Sequence, residues 1–386
     1  MEQAPRSAKY RFKEDKDMRK KLAVLLSGLM LVASLAGCGG SSSEGTTPAG
    51  DEKPASGSTQ SSSEGSGELN VFVWTEYVPD SVFEKFTEET GIKVNVSTYS
   101  SNEDMLAKVK SESEGTYDMV LPSDYMIQLM IAQDMLEPLD KDKLTNLSNI
   151  GEAYLNPSYD PGNVYTVPYQ GGVAGIAVNT KKVTKPITSY ADLFDPSLAG
   201  QLVVLDDYRA VIGITARSLG YSMNETDPAK LDEIEAKLLS LKENISVYDS
   251  DSPKSVMISG DCNVGMIWSA EIALSNAENP DIQVVYPKEG PYVFMDNWAI
   301  LKGSRNKDNA MTFMNYMLKP ETAVMVSEEF PYLCPNTEAV KMMGSEYSDN
   351  PAKNPPADVI AAGEYVQNLD NATLERYNEM WTKLKK

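Results

Sequence analysis

Short apolar runs alternate with amphipathic segments along most of the chain, from about residue 68 to the C-terminus. A continuous or alternating apolar run of about four to eight residues is typical of a strand, whereas apolar positions three or four residues apart are typical of a helix. In the first part of this region we predict strands at 69–73, 92–96 and 118–121 and helices at 80–90 and 102–113, with Gly91 closing the first helix. This alternation predicts an α/β fold with a largely parallel sheet.

A second series of the same kind begins near Gly175. We predict strands at 176–178, 202–205, 264–267 and 282–285, helices at about 210–219, 229–241 and 255–259, and a C-terminal helix at 371–385. About 320 residues in two such series exceed one comfortable core, so two α/β lobes are expected. Ligands of open α/β sheets bind beyond the carboxyl ends of strands, which makes the residues at those ends the functional candidates.

The N-terminal part of the chain has the pattern of a bacterial lipoprotein signal. The basic stretch MRKK at 18–21 precedes an apolar span over 22–37, which ends in LAGC at 35–38 and is short for a membrane helix. We expect residues 1–37 to be a signal sequence whose true start is Met18, and Cys38 to carry a diacylglycerol. Residues 38–67, rich in Ser, Gly and Glu, should form a flexible linker. The alternatives are a transmembrane anchor and a cytosolic protein with one apolar helix.

The charge and composition exclude several classes of function. The net charge is −21, and residues 1–37 are net basic, so the remainder is more acidic still and nucleic acid is excluded as a partner. The chain has no His, which excludes Ser-His-Asp and Cys-His catalysis and any His metal site. Cys262 and Cys334 lack a local CxxC spacing and are expected to be reduced core thiols, with a disulfide between them as the alternative.

Five of the predicted strand ends share a chemical character. Each carries aromatic side chains, carboxylates or both, at 74–77, 123–125, 206–207, 268–271 and 294–296. Carboxylates that face one another repel and are costly to desolvate, so such a set is favourable only around a cation. Aromatic faces add cation–π attraction of about 0.5–2 kcal/mol each. The pattern predicts a slot for an extended aliphatic amine with charged ends, although each residue taken alone also fits a helix cap or a core aromatic.

Four motifs together resemble those of the spermidine/putrescine-binding lipoproteins of bacterial ABC importers. They are WTEY at 74–77, PSDY at 122–125, GMIW at 265–268 and PKEG at 287–290, and the resemblance covers roughly residues 68–386. It implies a two-lobed, type II periplasmic-binding-protein fold that closes on its ligand at a hinge. It also implies a monomeric receptor without cofactor, metal or catalytic activity. Such a receptor is lipid-anchored outside the cytoplasm and delivers a polyamine to ABC permease subunits.

The resemblance further implies a role in ligand binding for thirteen residues. Glu76 would hold a terminal ammonium, while Asp207 and Asp296 would hold charged nitrogens from the other side. Trp268 and Phe294 would sandwich the methylenes, and Phe294 matches members that prefer putrescine. The rest of the set are Trp74, Thr75 and Tyr77 at the Glu76 end, Ser123 and Tyr125 in the same lobe, Glu271, and Tyr332 and Gln367 as further polar contacts.

The chain departs from the family pattern at Ala210, where relatives carry a ligand-binding Glu. One carboxylate is therefore missing. Glu271, three residues after Trp268, matches an Asp of putrescine binders, and we expect it to replace the lost charge from a neighbouring position.

The resemblance also predicts how the chain is divided. One lobe should comprise residues 68–173 and 297–340, and the other residues 174–296 and 341–386. Gly171, Gly172 and Asn297 lie at the two crossings between these lobes and are the expected hinge.

Three other functions are compatible with parts of the pattern. A receptor of the same fold for another small cationic amine is the main alternative, because Ala210 alters the site. A ferric-ion binder would need clustered tyrosines and oxygen ligands, and Trp268 and Phe294 argue against it. A carboxylate-dependent hydrolase with Glu76 and Asp296 as acid and base is the most distant alternative.

Overall fold

The computed structural model describes residues 67–386. The predicted signal sequence, Cys38 and all but the last residue of the predicted linker lie outside the described residues. Between residues 67 and 386, none of the helices combines the length and the apolar character that crossing a bilayer requires.

The described chain forms one ten-stranded sheet with helices packed against it. The strands follow the order β2-β1-β3-β9-β4-β7-β5-β6, while β8 pairs with β4 and β10 pairs with β9. Their bounds are β1 Glu68–Trp74, β2 Lys93–Tyr99, β3 Met119–Val120, β4 Thr166–Asn179, β5 Leu202–Val204, β6 Ile245–Tyr248, β7 Val264–Trp268, β8 Ile282–Val285, β9 Tyr292–Ile300 and β10 Glu364–Tyr365.

The helices lie mostly between strands, as the alternating pattern predicts. Their bounds are α1 Asp80–Thr90, α2 Asn102–Ser111, α3 Asp124–Ala132, α4 Tyr208–Ser218, α5 Pro228–Leu239, α6 Lys254–Ser259, α7 Ser269–Glu278, α8 Lys307–Met317, α9 Pro320–Glu329, α10 Thr337–Met343, α11 Ser345–Ser348, α12 Ala357–Ala362 and α13 Asn371–Lys385. The predicted bounds of α1, β8 and α13 agree with the structure. Gly91 ends α1 at a φ of 73°, a left-handed conformation that glycine adopts without a Cβ penalty.

The expectation of a largely parallel sheet is wrong at the centre of the fold. Parallel pairs join β1 to β2 and β3, and β5 to β6 and β7. The long strands β4 and β9 run antiparallel to each other, and they also pair antiparallel with β7 and β3 respectively. They traverse the sheet in opposite directions, so they meet antiparallel. The sheet is therefore mixed.

Strands β4 and β9 connect two halves of the molecule. The first half contains β1, β2 and β3 with helices α1, α2, α8 and α9, and the second contains β5 to β8 with helices α4 to α7 and α13. The molecule is thus a two-lobed α/β protein, as predicted. The exact lobe boundaries given above stay a prediction.

The two glycines proposed as a hinge lie inside β4. Gly171 and Gly172 pair with Met295 and Phe294 of β9. A Cβ on Gly172 would lie 3.1 Å from the nearest Phe294 ring atom, so this glycine lets the ring lie close to the strand. Asn297 is likewise within β9. The close approach of the Phe294 ring explains why a glycine is needed at position 172. The role of these residues as a hinge stays a prediction.

Both cysteines of the described region are free and buried, which agrees with the prediction of reduced core thiols. Cys262 belongs to the main hydrophobic core, whereas Cys334 packs in a separate small cluster with Tyr347.

Candidate functional site

A cavity that opens to solvent lies where the ends of β1 and β7 meet β9. It sits at the carboxyl ends of strands from both halves of the sheet, as expected for an open α/β sheet. Ten of the thirteen predicted residues line it: Trp74, Thr75, Glu76, Tyr77, Ser123, Asp207, Trp268, Phe294, Asp296 and Tyr332.

Asp296 is the most deeply buried carboxylate in the cavity wall, with 4% of the residue exposed. Its Oδ1 accepts a hydrogen bond of 2.6 Å from the Ser123 hydroxyl, and Asn102 in turn donates to the Ser123 Oγ at 3.0 Å. Within residues 67–386 no lysine or arginine pairs with Asp296. Burial raises the pKa of this carboxyl to about 7, against the opposing effects of the Ser123 hydroxyl and then the Tyr77 hydroxyl. A ligand cation would supply the missing partner.

Two hydroxyl groups in the cavity wall are buried without a close, well-aligned hydrogen bond to another described residue, although the Tyr77 hydroxyl lies near the Asp296 carboxylate. They belong to Tyr77 and Ser250. Burial, and next the charge of Asp296, raise the pKa of Tyr77 well above its ordinary value, so this hydroxyl stays protonated. Buried polar groups are normally satisfied, and unpaired ones facing a cavity are ready to bind a polar ligand.

Aromatic side chains form a continuous wall on one side of the cavity. The Trp268 and Phe294 rings are 5.0 Å apart with an interplanar angle of 66°, and Phe294 lies 6.0 Å from Tyr332. This geometry corrects the predicted sandwich, because Trp268 and Phe294 contact each other edge to face and leave no gap between them. Trp74 is fixed separately, by donating from Nε1 to the Leu121 carbonyl at 2.8 Å. The rings can cover an aliphatic chain from one side.

Glu271 has a different environment from the one predicted. It does not line the cavity, and its oxygens lie 3.2 Å from the Lys254 ammonium. Glu76, which does line the cavity, accepts from the same ammonium at 2.8 Å. The charge of Glu271 is therefore already paired in this structure, and its role in place of the carboxylate absent at Ala210 stays a prediction.

A different carboxylate, Glu103 of α2, lies near Asp207. Its Oε1 accepts hydrogen bonds from the hydroxyls of Tyr125 at 3.0 Å and Tyr208 at 3.2 Å. Burial, and then the charge of Asp207, raise the pKa of Glu103. Asp207 also caps α4, as its Oδ1 accepts from the backbone of Arg209 and Ala210. Glu103 thus places a carboxylate close to Asp207, in the part of the cleft where Ala210 provides no charge.

Tyr125 and Gln367 lie outside the first cavity. Both line a neighbouring, larger cavity together with Asp124. The Tyr125 ring packs under the Arg209 guanidinium at 5.4 Å, and the same guanidinium donates to the Gln367 carbonyl at 2.8 Å. Arg209 therefore lies between them, neither residue lines the cavity that contains Asp296, and their roles in ligand binding stay a prediction.

The structure adds five lining residues that the sequence reasoning missed: Ser100, Asn102, Ser250, Asp251 and Tyr292. Four of these follow β2 or β6, and the strand-end rule applies to them as it does to the others. The apolar pattern predicts that β2 ends at residue 96, whereas it ends at Tyr99, and it does not predict β6, so the segments that follow these two strands are not among the predicted strand ends.

Three polar contacts join the two halves around the cavity. Ser100 donates to Asp251 at 3.1 Å, Tyr208 donates to Glu103 at 3.2 Å, and Lys254 donates to Glu76 at 2.8 Å. In this structure, side-chain hydrogen bonds therefore connect the two halves across the cleft.

Comparison with known proteins identifies similar chains. The family model of bacterial extracellular solute-binding proteins matches residues 81–356. The spermidine/putrescine-binding periplasmic protein of Escherichia coli strain K12 is 41% identical over 318 residues, which cover 82% of this chain and 91% of that protein.

Two solved structures are also similar. The spermidine/putrescine substrate-binding protein PotD of Streptococcus pneumoniae has a TM-score of 0.72 at 34% identity, covering 83% of this chain and 99% of that one. The TpPotD lipoprotein of Treponema pallidum has a TM-score of 0.72 at 29% identity, covering 82% of this chain and 99% of that one.

Proposed function

The chain belongs to the bacterial extracellular solute-binding proteins, and from this premise we propose that it captures polyamines and delivers them to an ABC permease. Members of this family bind solutes for transport and are not enzymes, so a hydrolase acting through Glu76 and Asp296 is set aside. The family is extracytoplasmic, and so is this chain. Putrescine and spermidine are the proposed ligands because the similar proteins of E. coli and S. pneumoniae carry both in their names.

The observation that carries this proposal is the buried carboxylate of Asp296, which has no cationic partner among the described residues, beside the Trp268, Phe294 and Tyr332 rings. A buried anion without a partner is unfavourable, and a protonated amine removes this cost by forming a charge-assisted hydrogen bond. The aromatic rings beside it suit the methylenes of the same ligand and attract its charge. A neutral sugar can stack on the rings, but it has no positive charge to pair with the carboxylate.

Thermal melting with diamines and sugars tests the proposal. A ligand present at a hundred times its dissociation constant stabilises the folded protein by about 2.7 kcal/mol. We expect putrescine and spermidine to raise the melting temperature by several degrees, and glucose and maltose to leave it unchanged. Stabilisation by a sugar with no response to either amine would contradict the proposal.

We further propose that the mature protein is anchored by a lipid on Cys38. The support is the LAGC sequence at 35–38 after a basic and apolar stretch, and the similar T. pallidum protein is named a lipoprotein. Intact-mass measurement of the protein from a bacterial host membrane should show a chain that begins at a diacylglyceryl-modified Cys38. Cys38→Ala should be unprocessed or released, and an unmodified wild-type chain beginning at Met18 would argue against the anchor.

We also propose that the two halves close on the ligand at the β4 and β9 crossings. The groups that line the cavity come from both halves, so a ligand that touches both shifts the population toward the closed form. Small-angle scattering should show a smaller radius of gyration with saturating putrescine than without it. The diol of the same length serves as the control, and an unchanged radius with putrescine would count against closure.

A further inference from the structure

The carboxylate of Glu76 already has a cation from its own chain. Glu76 follows β1 in the first half of the molecule and holds a left-handed φ of 47°, which is uncommon for a residue other than glycine. Its Oε2 lies 2.8 Å from Lys254 Nζ, although 46% of the Glu76 side chain remains exposed toward the cleft. The Glu76 carboxylate, which lines the cavity, is therefore already paired with the ammonium of Lys254, a residue that is not itself among those lining the cavity.

Glu271 holds Lys254 in this position by binding both its side-chain ammonium and its backbone N–H. Both of its oxygens lie 3.2 Å from the Lys254 ammonium, and Oε2 also accepts from the Lys254 backbone N–H at 3.3 Å. The Ser252 hydroxyl is a further partner at 3.0 Å. Only 4% of the Glu271 side chain and 21% of the Lys254 side chain are exposed. Because Glu271 binds both the backbone N–H and the ammonium of Lys254, the side chain is held toward Glu76 and does not rotate freely.

The charge of Lys254 persists despite its burial. Burial lowers its pKa, but the hydrogen bonds and charges of Glu76 and Glu271 outweigh that effect, and the pKa of Lys254 is raised. One ammonium thus neutralises part of two carboxylates, one from each half. By contrast, Asp207, Asp251 and Asp296 line the cavity without an ion pair to any lysine or arginine of residues 67–386, although the charge of nearby Arg209 partly opposes the burial that raises the pKa of Asp207.

We propose that Lys254 is a specificity-determining residue that takes the place of a terminal ligand ammonium at Glu76 and so favours diamines over longer triamines. This inference rests on the proposed polyamine function. A diamine can place its charges against Asp207 and Asp296 and leave the Lys254 to Glu76 contact intact. A triamine whose third ammonium reaches Glu76 must either displace Lys254, which leaves Glu271 without its partner, or lie beside the Lys254 ammonium, which brings two like charges together.

Isothermal titration with putrescine and spermidine tests the inference. In Lys254→Met the side chain keeps its approximate length but loses its charge, so Glu76 and Glu271 need a cation from the ligand. We expect the spermidine affinity to rise at least about tenfold relative to putrescine. Lys254→Arg should keep the wild-type preference because it keeps a cation. The matched control is Lys319→Met, which removes a lysine paired with Glu89 at 2.8 Å outside the cavity and should not change the ratio.

The double variant Lys254→Met with Glu271→Gln covers the case in which the single variant is unstable, because it leaves no unpaired charge at Glu271. It should show the same shift toward spermidine, because Glu76 no longer has a lysine partner and can bind a ligand ammonium. An unchanged ratio in a folded single or double variant, while the wild type binds both amines, would overturn the role of Lys254 and leave the proposed function standing. A wild-type protein that binds neither amine would overturn the proposed function and this inference with it.

Discussion

Replacing Asp296 with Asn is expected to weaken putrescine binding at least about thirtyfold, since removing one partner of a desolvated charge pair costs about 2–5 kcal/mol. The wild-type carboxylate is buried, accepts a 2.6 Å hydrogen bond from Ser123 and has no cationic partner within residues 67–386. Asn keeps the shape of the side chain and removes its charge. Titration calorimetry of the two proteins at low salt and about pH 8 measures the difference.

The same substitution should stabilise the ligand-free protein at alkaline pH. Burial raises the pKa of Asp296 from 3.8 to about 7, so the folded state binds this proton more tightly than the unfolded state does. The resulting stability is present below about pH 4 and is lost as the pH rises to about 7. At pH 8 the wild type should therefore be less stable than Asp296→Asn by up to about 4 kcal/mol, and the gap should close toward pH 4.

A matched acidic residue outside the cavity serves as the control. Asp206 is exposed and pairs with Lys385 at 2.5 Å, so Asp206→Asn should change neither putrescine affinity nor its pH dependence. In the wild type, affinity should fall as the pH drops below about 7, because the ligand then competes with the proton on Asp296. Asp124, whose pKa burial raises to about 8, titrates nearby, and each variant is therefore compared with the wild type at the same pH. An Asp296→Asn protein that binds as tightly as the Asp206→Asn protein would show that the cavity is not the binding site.

Trp268→Ala is expected to weaken polyamine binding by about tenfold to a hundredfold. The Trp268 ring ends β7, remains partly exposed to the cavity, and contacts Phe294 at 5.0 Å and Tyr292 at 5.8 Å. Its loss removes the apolar cover of the ligand, at about 0.8 kcal/mol per methylene, together with a cation–π contact of about 0.5–2 kcal/mol. Trp268→Phe keeps an aromatic face and should lose much less.

Trp381 provides the comparison for a lost indole. It is partly buried on α13 and packs against Tyr248 at 5.5 Å, away from the residues that line the cavity. Trp381→Ala should lower the melting temperature and leave the dissociation constant for putrescine unchanged. Equal dissociation constants for Trp268→Ala and Trp381→Ala would show that the aromatic wall of the cavity does not contribute to putrescine binding.

Elements with local signals were predictable from the sequence. The helix Asp80–Thr90 has clear periodicity and ends at Gly91 in the left-handed conformation, and the strand Ile282–Val285 is a short β-branched run between loop residues. The first half of β4 was missed because Pro168, Gly171 and Gly172 interrupt its pattern, although the whole strand is buried. Its antiparallel pairing with β9 depends on contacts more than a hundred residues apart, for which no local pattern exists.

The candidate site was predictable to the extent that it follows the ends of predicted strands. Trp74 to Tyr77, Trp268 and Asp296 were found by that rule or by the motifs that surround them. Lys254 was missed because it opens a six-residue helix and carries a charge opposite to the one sought. Lys254 pairs with Glu271, so the charge of this carboxylate is already compensated within the protein. The sequence alone does not reveal this pairing, because it depends on the three-dimensional arrangement.

Polyamine binding is tested most directly by titration calorimetry of the wild-type protein with four compounds. Putrescine and spermidine are compared with the monoamine and the diol of the same length as putrescine, which lack one and both ammonium groups. We predict saturable binding of one putrescine per chain, binding of the monoamine at least about tenfold weaker, and no heat of binding with the diol. Equal binding of putrescine, the monoamine and the diol, or no binding of either polyamine, would contradict the account.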